Sequence, residues 1–171
     1  MEATTAQLIA QFRSVAGQFC DLIENCSSCS RAKFVKLAHG LLADLYRMGA
    51  LLPHVELDSD DATRDRVSHE QWSKVYKAIS EKLGDAAGYW TVFDPADPAD
   101  KEAIQHTLAD DLSDIYRDLR SALPASETDI LSNDGLWDMR FQYEHHWGAH
   151  AVSALRTMHS LLYGPSYLAE D

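Results

Sequence analysis

The sequence predicts an all-α chain: a single-domain antiparallel helical bundle of about five helices over residues 1–171, with an ordered aromatic loop and a frayed tail at 164–171. Two observations carry that expectation. Apolar residues recur at three- and four-residue steps in five separate stretches, the period of one helix face. Glycine, proline and serine clusters separate those stretches, and short links between amphipathic helices favour antiparallel neighbours.

The first helix is expected over residues 5–25, where Leu8, Phe12, Val15, Phe19 and Leu22 recur and Ile9, Ala16 and Ile23 broaden the face. The link Cys26-Ser27-Ser28-Cys29-Ser30 breaks it and offers serine N-caps to a second helix. That helix, over 31–48, has the stripe Phe34, Leu37, Leu41, Leu45 and Met48, and Gly49 and Pro53 end it. Residues 53–67 are acidic and irregular. Asp58, Asp60, Asp61 and Asp65 lack the alternation and glycine of a calcium loop, since Ala62 and Thr63 hold the required places. Ser68 and Gln71 form a capping box for a third helix with Trp72, Val75, Tyr76, Ile79 and Leu83 on one face. Gly84 stops it.

Residues 85–97 hold Tyr89, Trp90, Val92 and Phe93 and are expected to tuck aromatics against the bundle as a loop, because a strand there has no evident partner. A fourth helix is expected from Pro98 to Ala122, with Leu108, Leu112, Ile115 and Leu119 as its core line. Asp111, Asp114 and Asp118 sit together to one side of that line and Tyr116 to the other. Residues 125–135 make a turn, and residues 136–163 form one long last helix. Its stripe is Trp137, Phe141, Gly148, Val152, Leu155 and Leu162, widened by Trp147, Ala151, Ala154, Met158 and Leu161. Gly148 costs that helix about 1 kcal/mol relative to alanine and marks a kink or a very close helix approach.

Composition narrows the function classes. Lys and Arg total 15 against 27 Asp and Glu, for a net charge of -12. That field disfavours nucleic acid and anionic membrane, and it suits a protein partner with a basic surface. No apolar run is long enough to span a bilayer, and the N-terminus lacks the basic start of a signal peptide. Cys20, Cys26 and Cys29, an odd count within ten residues, fit reduced thiols and a cytoplasmic location.

Several short patterns keep a consistent order along most of the chain. They are Leu41, Leu42, Leu45, Tyr46, Leu51, Leu52 and Pro53; the run Tyr89 to Phe93; Asp111, Leu112, Asp114, Ile115, Tyr116, Asp118 and Leu119; and Glu144, Trp147, Gly148, Ala154, Leu155, Arg156 and His159. In these the chain resembles the uncharacterised bacterial domain-of-unknown-function family 5063. The resemblance implies an all-helical fold and no known activity, so it transfers no catalytic residue. The Cys26–Cys29 segment and the His145-His146 pair stand outside that pattern.

Three residue groups are candidates for chemistry. Glu144 and His159 both fall on the apolar stripe of the last helix, where a carboxylate costs several kcal/mol unless paired or protonated. They lie about 22 Å apart along one helix, so they cannot partner each other. Glu144 is therefore expected either to hydrogen-bond Tyr46, Tyr116 or a Trp N–H, or to converge with Asp111, Asp114 and Asp118 in a polar core site. Carboxylates and histidines on facing helices hold divalent metal in bundle cores, but the Glu-x-x-Glu or Glu-x-x-His signature is missing, with Trp147 three residues after Glu144. His159 is expected as a hydrogen-bonded core histidine. His146 and His150, four apart, have zinc-ligand spacing, yet on a continuous helix they point away from Phe141 and Val152 into solvent. Cys26 and Cys29 begin a helix, a setting that lowers thiolate pKa, and Cys20 would add a third thiolate for zinc.

No phosphate loop or nucleophile elbow is present. The expected function is a non-enzymatic protein-interaction module, monomeric or homodimeric, with Trp147, Ala151 and Met158 available for a dimer contact. The alternative is a metal-dependent hydrolase-like bundle built on Glu144, Asp111, Asp114 and His159. No cofactor is expected beyond a divalent metal in that alternative.

Overall fold

A computed structural model describes residues 4–58, 67–124 and 132–165. The mainly helical fold is as expected. Among the described residues there are six α-helices: α1 (Thr5–Glu24), α2 (Arg31–Gly49), α3 (His69–Leu83), α4 (Leu108–Ala122), α5 (Asn133–His145) and α6 (Trp147–Tyr163). One two-stranded antiparallel sheet joins β1 (Gly88–Thr91) to β2 (Ile104–Thr107), with Tyr89 opposite His106. Asp60, Asp61 and Asp65 of the acidic segment, most of the turn at 125–135, and the tail from 166 lie outside the described residues.

Local chemistry sets the helix starts. Thr4 with Gln7 and Ser68 with Gln71 form complete capping boxes on α1 and α3. Ser30, Thr107 and Ser132 cap α2, α4 and α5 through their hydroxyls. Each such cap satisfies an orphan amide, for about 1 kcal/mol.

The core is continuous across the helices. Phe12, Phe19, Phe34, Leu42, Leu45, Ile79, Leu83, Leu112, Ile115, Leu119, Trp147 and Met158 are all fully buried within it. Helix α6 lies between α2 and α4, and α1 packs across α2 and α4. The core line of α4 is the one the periodicity picked out: Leu108, Leu112, Ile115 and Leu119 are each 0% exposed.

Three expectations are corrected. The aromatic segment is in part a strand, because Gly88–Thr91 finds a partner in residues 104–107, which the sequence reading assigned to a helix, and Trp90 and Phe93 stand 66% and 86% exposed rather than tucked against the bundle. Helix α4 accordingly starts at Leu108 rather than Pro98. The last helix is two helices. His146 leaves helical geometry at φ -144, ψ -82, and a Cβ on Gly148 would stand 2.2 Å from the carbonyl oxygen of Tyr143. Only glycine lets α6 begin that close to the end of α5.

The break changes the phase of everything after it. Phe141 before the break and Val152 after it are 40% and 50% exposed, so the two no longer share a buried stripe. Trp147, Ala151 and Met158 are 0% exposed, so the chain's own core covers the side chains expected to offer a dimer contact.

Candidate metal centre

The centre of interest is the face of α4 that carries Asp111, Asp114 and Asp118. Their spacing of three and four places all three on one side of the helix, against the start of α6. Asp111 is 1% exposed, and the side chains of Asp114 and Asp118 are 13% and 8% exposed. Carboxylates this buried must be paired, and the break at His146 supplies the partners.

His150 Nδ1 lies 2.8 Å from Asp111 Oδ1, and His146 Nδ1 lies 2.6 Å from Asp118 Oδ2. A carboxylate can only accept, so each Nδ1 carries the hydrogen and donates it. In the neutral imidazoles this leaves each Nε2 with its lone pair. His150 Nε2 is 3.6 Å from Asp114 Oδ2. The other oxygen of Asp114 is occupied: Trp72 Nε1 donates to Oδ1 at 2.8 Å, and the Arg117 guanidinium lies 3.1 Å from it. Asp114, His146 and His150 each bring a ligand atom, and the three atoms lie within 4.8 Å of one another. Two ligands at about 2.1 Å in a tetrahedral shell are roughly 3.4 Å apart, so a small contraction would close the set around one ion.

Carboxylates behind both histidines orient the rings and raise their basicity, the usual support for metal-bound imidazole. Asp111 has its own support from the hairpin. Tyr89 donates its hydroxyl hydrogen to Asp111 Oδ2 at 2.6 Å, and His106 Nδ1 lies 3.5 Å from Asp111 Oδ1. His106 also approaches Asp110 at 3.4 Å. Because β2 runs straight into α4 through the cap Thr107, the hairpin is anchored where it can reach these acids.

The electrostatics follow the same arrangement. Burial acts to lower the His150 pKa, but the hydrogen bond to Asp111 and the charges of Asp111, Asp114 and Asp110 outweigh it, and the net shift is upward. Burial, reinforced by Asp111, holds the Tyr89 phenol protonated well beyond its ordinary range.

The other sequence candidates stand elsewhere. Glu144 is not in the core. It is exposed on α5 and pairs with Arg140 one turn earlier, at 2.6 Å, while Arg140 also donates to the carbonyl of Leu52. His159 is likewise exposed, 6.0 Å between ring centroids from His39 on α2. The continuous-helix phase that put both residues inward fails at His146. The same failure explains why His146 and His150, expected in solvent, turn toward α4.

Tyr116 faces away from the acids and donates to Glu24 at 2.9 Å. Cys20 and Cys26 are buried, Cys29 is half-buried, and all three are free. Burial raises the Cys20 and Cys26 thiols, and Cys26 sits in a 3-10 turn before α2 rather than on the first turn of that helix, where a thiolate would be favoured. Among the described residues the cysteines form no metal-ligand group.

Sequence reasoning missed Tyr89, His106 and Trp72 as members of the site. The available signal was His106 four residues before Asp110, and the helix expected from Pro98 hid it.

Tyr116 offers a test of the packing opposite the site. Burial, then the hydrogen bond to Glu24 and its charge, raise its phenol above the ordinary value of 10.0. The folded chain keeps a proton that the unfolded chain releases near pH 10, so this contribution is complete below about pH 10 and is lost as pH rises. Tyr116→Phe should lower stability at neutral pH by about 1 kcal/mol and flatten its fall above about pH 10. Denaturant melts across that range measure both.

Comparison with known proteins agrees with this fold. A crystal structure of protein BF1032 from Bacteroides fragilis superposes with a TM-score of 0.80 at 23% sequence identity, covering 95% of this chain and 97% of that one. No curated protein matches the sequence. The family described as Domain of unknown function (DUF5063) matches residues 3–164, nearly the full length, and the chain therefore belongs to the DUF5063 family.

Proposed function

We propose that this chain is a metal-binding helical protein that holds one divalent first-row transition ion through Asp114, His146 and His150. The observation that carries the reading is the convergence of those three ligand atoms within 4.8 Å across α4 and α6. Two imidazoles and one carboxylate suit zinc or ferrous iron and disfavour calcium or magnesium, which take oxygen ligands. Charge supports it as well. Asp111, Asp114 and Asp118 face one another's partners with Arg117 as the cation beside them, an excess of negative charge that a divalent ion offsets.

Three protein ligands leave a position for water or a substrate oxygen, the arrangement by which zinc makes a nucleophile near neutral pH. In this form the hydrolytic alternative persists, with His146 and His150 in place of Glu144 and His159. The interaction-module reading loses its motive in part. Asp111, Asp114 and Asp118 are packed against α6, so a partner with a basic surface would use other acids of the surface.

Elemental analysis of untagged protein should find close to one transition ion per chain, and chelation should lower the melting temperature, because an ion that binds only the folded state stabilises it. If metal-free protein titrated with zinc shows no saturable one-to-one binding, the reading fails.

A further inference from the structure

Helix α3 is amphipathic along its whole length but covered along only half of it. Ile79 and Leu83 are fully buried, whereas Trp72, Val75 and Tyr76, on the same face, remain half-buried. Next to Val75 a cavity of about 610 Å³ opens, with α1 and α4 forming its other sides. Ile23, Val67, Val75 and Ala78 give it apolar walls. That size falls within the roughly 300–1,000 Å³ of small-molecule sites, which pair apolar walls with a few placed polar groups.

The polar groups at this cavity are Glu24, Gln71, Lys74, Tyr116 and Arg120. Glu24 is already satisfied: Tyr116 donates to its Oε1 at 2.9 Å, and Arg120 Nε lies 3.4 Å from the same atom. Gln71 is occupied with the cap of α3. Among the described residues nothing pairs with the Lys74 ammonium. The exposed Lys74 ammonium at the edge of the cleft is a local partner for an anion, and it acts against the chain's net charge of -12, which repels anions at longer range.

We propose that this cleft binds a small amphipathic carboxylate, its hydrocarbon body against Ile23, Val67, Val75 and Ala78 and its carboxylate on Lys74. The site is independent of the metal centre, since Tyr116 and the acids of the centre occupy different faces of α4.

Calorimetric titration of the full chain with octanoate tests this, with octanol as the uncharged comparison. Octanoate should bind one to one and more tightly than octanol. Lys74→Met, which keeps the aliphatic stem, should weaken octanoate about tenfold and leave octanol unchanged. Ala78→Phe should fill the cleft and remove both. Val75→Gln, milder for folding, should weaken both. The proposal is overturned by absent or non-saturable octanoate binding, by equal affinity for octanol, or by Lys74→Met and Val75→Gln variants that bind as the parent does.

Discussion

Gly148→Ala should destabilise the chain by about 2–3 kcal/mol, although the same exchange in an open helix usually stabilises. The added Cβ would stand 2.2 Å from the Tyr143 carbonyl oxygen. That oxygen belongs to the backbone, so no flexible side chain can relieve the clash, and α5 and α6 would have to separate. Separation disturbs a tightly packed corner. Trp147, 0% exposed, donates its indole N–H to the Met139 carbonyl at 3.2 Å, and Gly49 of α2 fits so closely that a Cβ there would lie 2.6 Å from Tyr143 and 2.8 Å from Trp147. Gly17→Ala in α1 is the control, because nothing lies within 4 Å of the added carbon. It should gain up to about 1 kcal/mol. Urea melts of both variants decide the matter, and a Gly148→Ala protein as stable as its parent would show that the corner opens without cost.

That corner also marks where the sequence stopped being legible. A helical period can be read only while the helix continues. Along α4 it does, and every member of the expected core line is buried. On α2 the stripe holds at Phe34, Leu45 and Met48 and fails between them: Leu37 is 43% exposed while Ala38 and Leu42 fill the core, because small alanines weigh little in a pattern and pack closely in fact. Across His146 the period is lost outright. The break requires a close approach between residues 143 and 148, and the sequence announces it only by a glycine consistent with either a kink or a neighbouring helix.

The site was half visible for the same reason. Asp111, Asp114 and Asp118 were recognisable as one acidic face, and His146 with His150 as a pair at zinc-ligand spacing. What joined them was a change of direction between helices, a long-range result of packing. Tyr89 and His106 needed a still less local fact, the pairing of two four-residue strands separated by residues 92–103. So short a strand pair carries little signal, since two strands alone are marginal in water and this pair leans on α4 and on Arg156 of α6, which donates to the Trp90 carbonyl.

His150→Ala should cost the largest part of metal binding, at least about 100-fold in zinc affinity, because it removes a ligand and strands the group that orients it. Asp111→Asn, which leaves every proposed ligand in place, should weaken zinc by about 10- to 100-fold through the lost support of His150. Glu144→Gln and His145→Ala should bind zinc as the parent does, the first because Glu144 pairs with Arg140 on α5 and the second because His145 points to solvent. Stability alone cannot discriminate here. His150→Ala also leaves Asp111 at 1% exposure with one fewer donor, and an undercompensated buried charge lowers the melting temperature whether or not a metal ever binds. The discriminating quantity is the rise in melting temperature on adding zinc to metal-free protein. A ligand at free concentration L stabilises more the tighter it binds the folded state, as RT ln(1 + L/Kd), so at zinc near the parent's Kd the rise should be full in Glu144→Gln, reduced in Asp111→Asn and absent in His150→Ala. An equal rise in all three would place the bound ion elsewhere and leave the Asp111–His150 and Asp118–His146 pairs as hydrogen bonds that join α4 to α6.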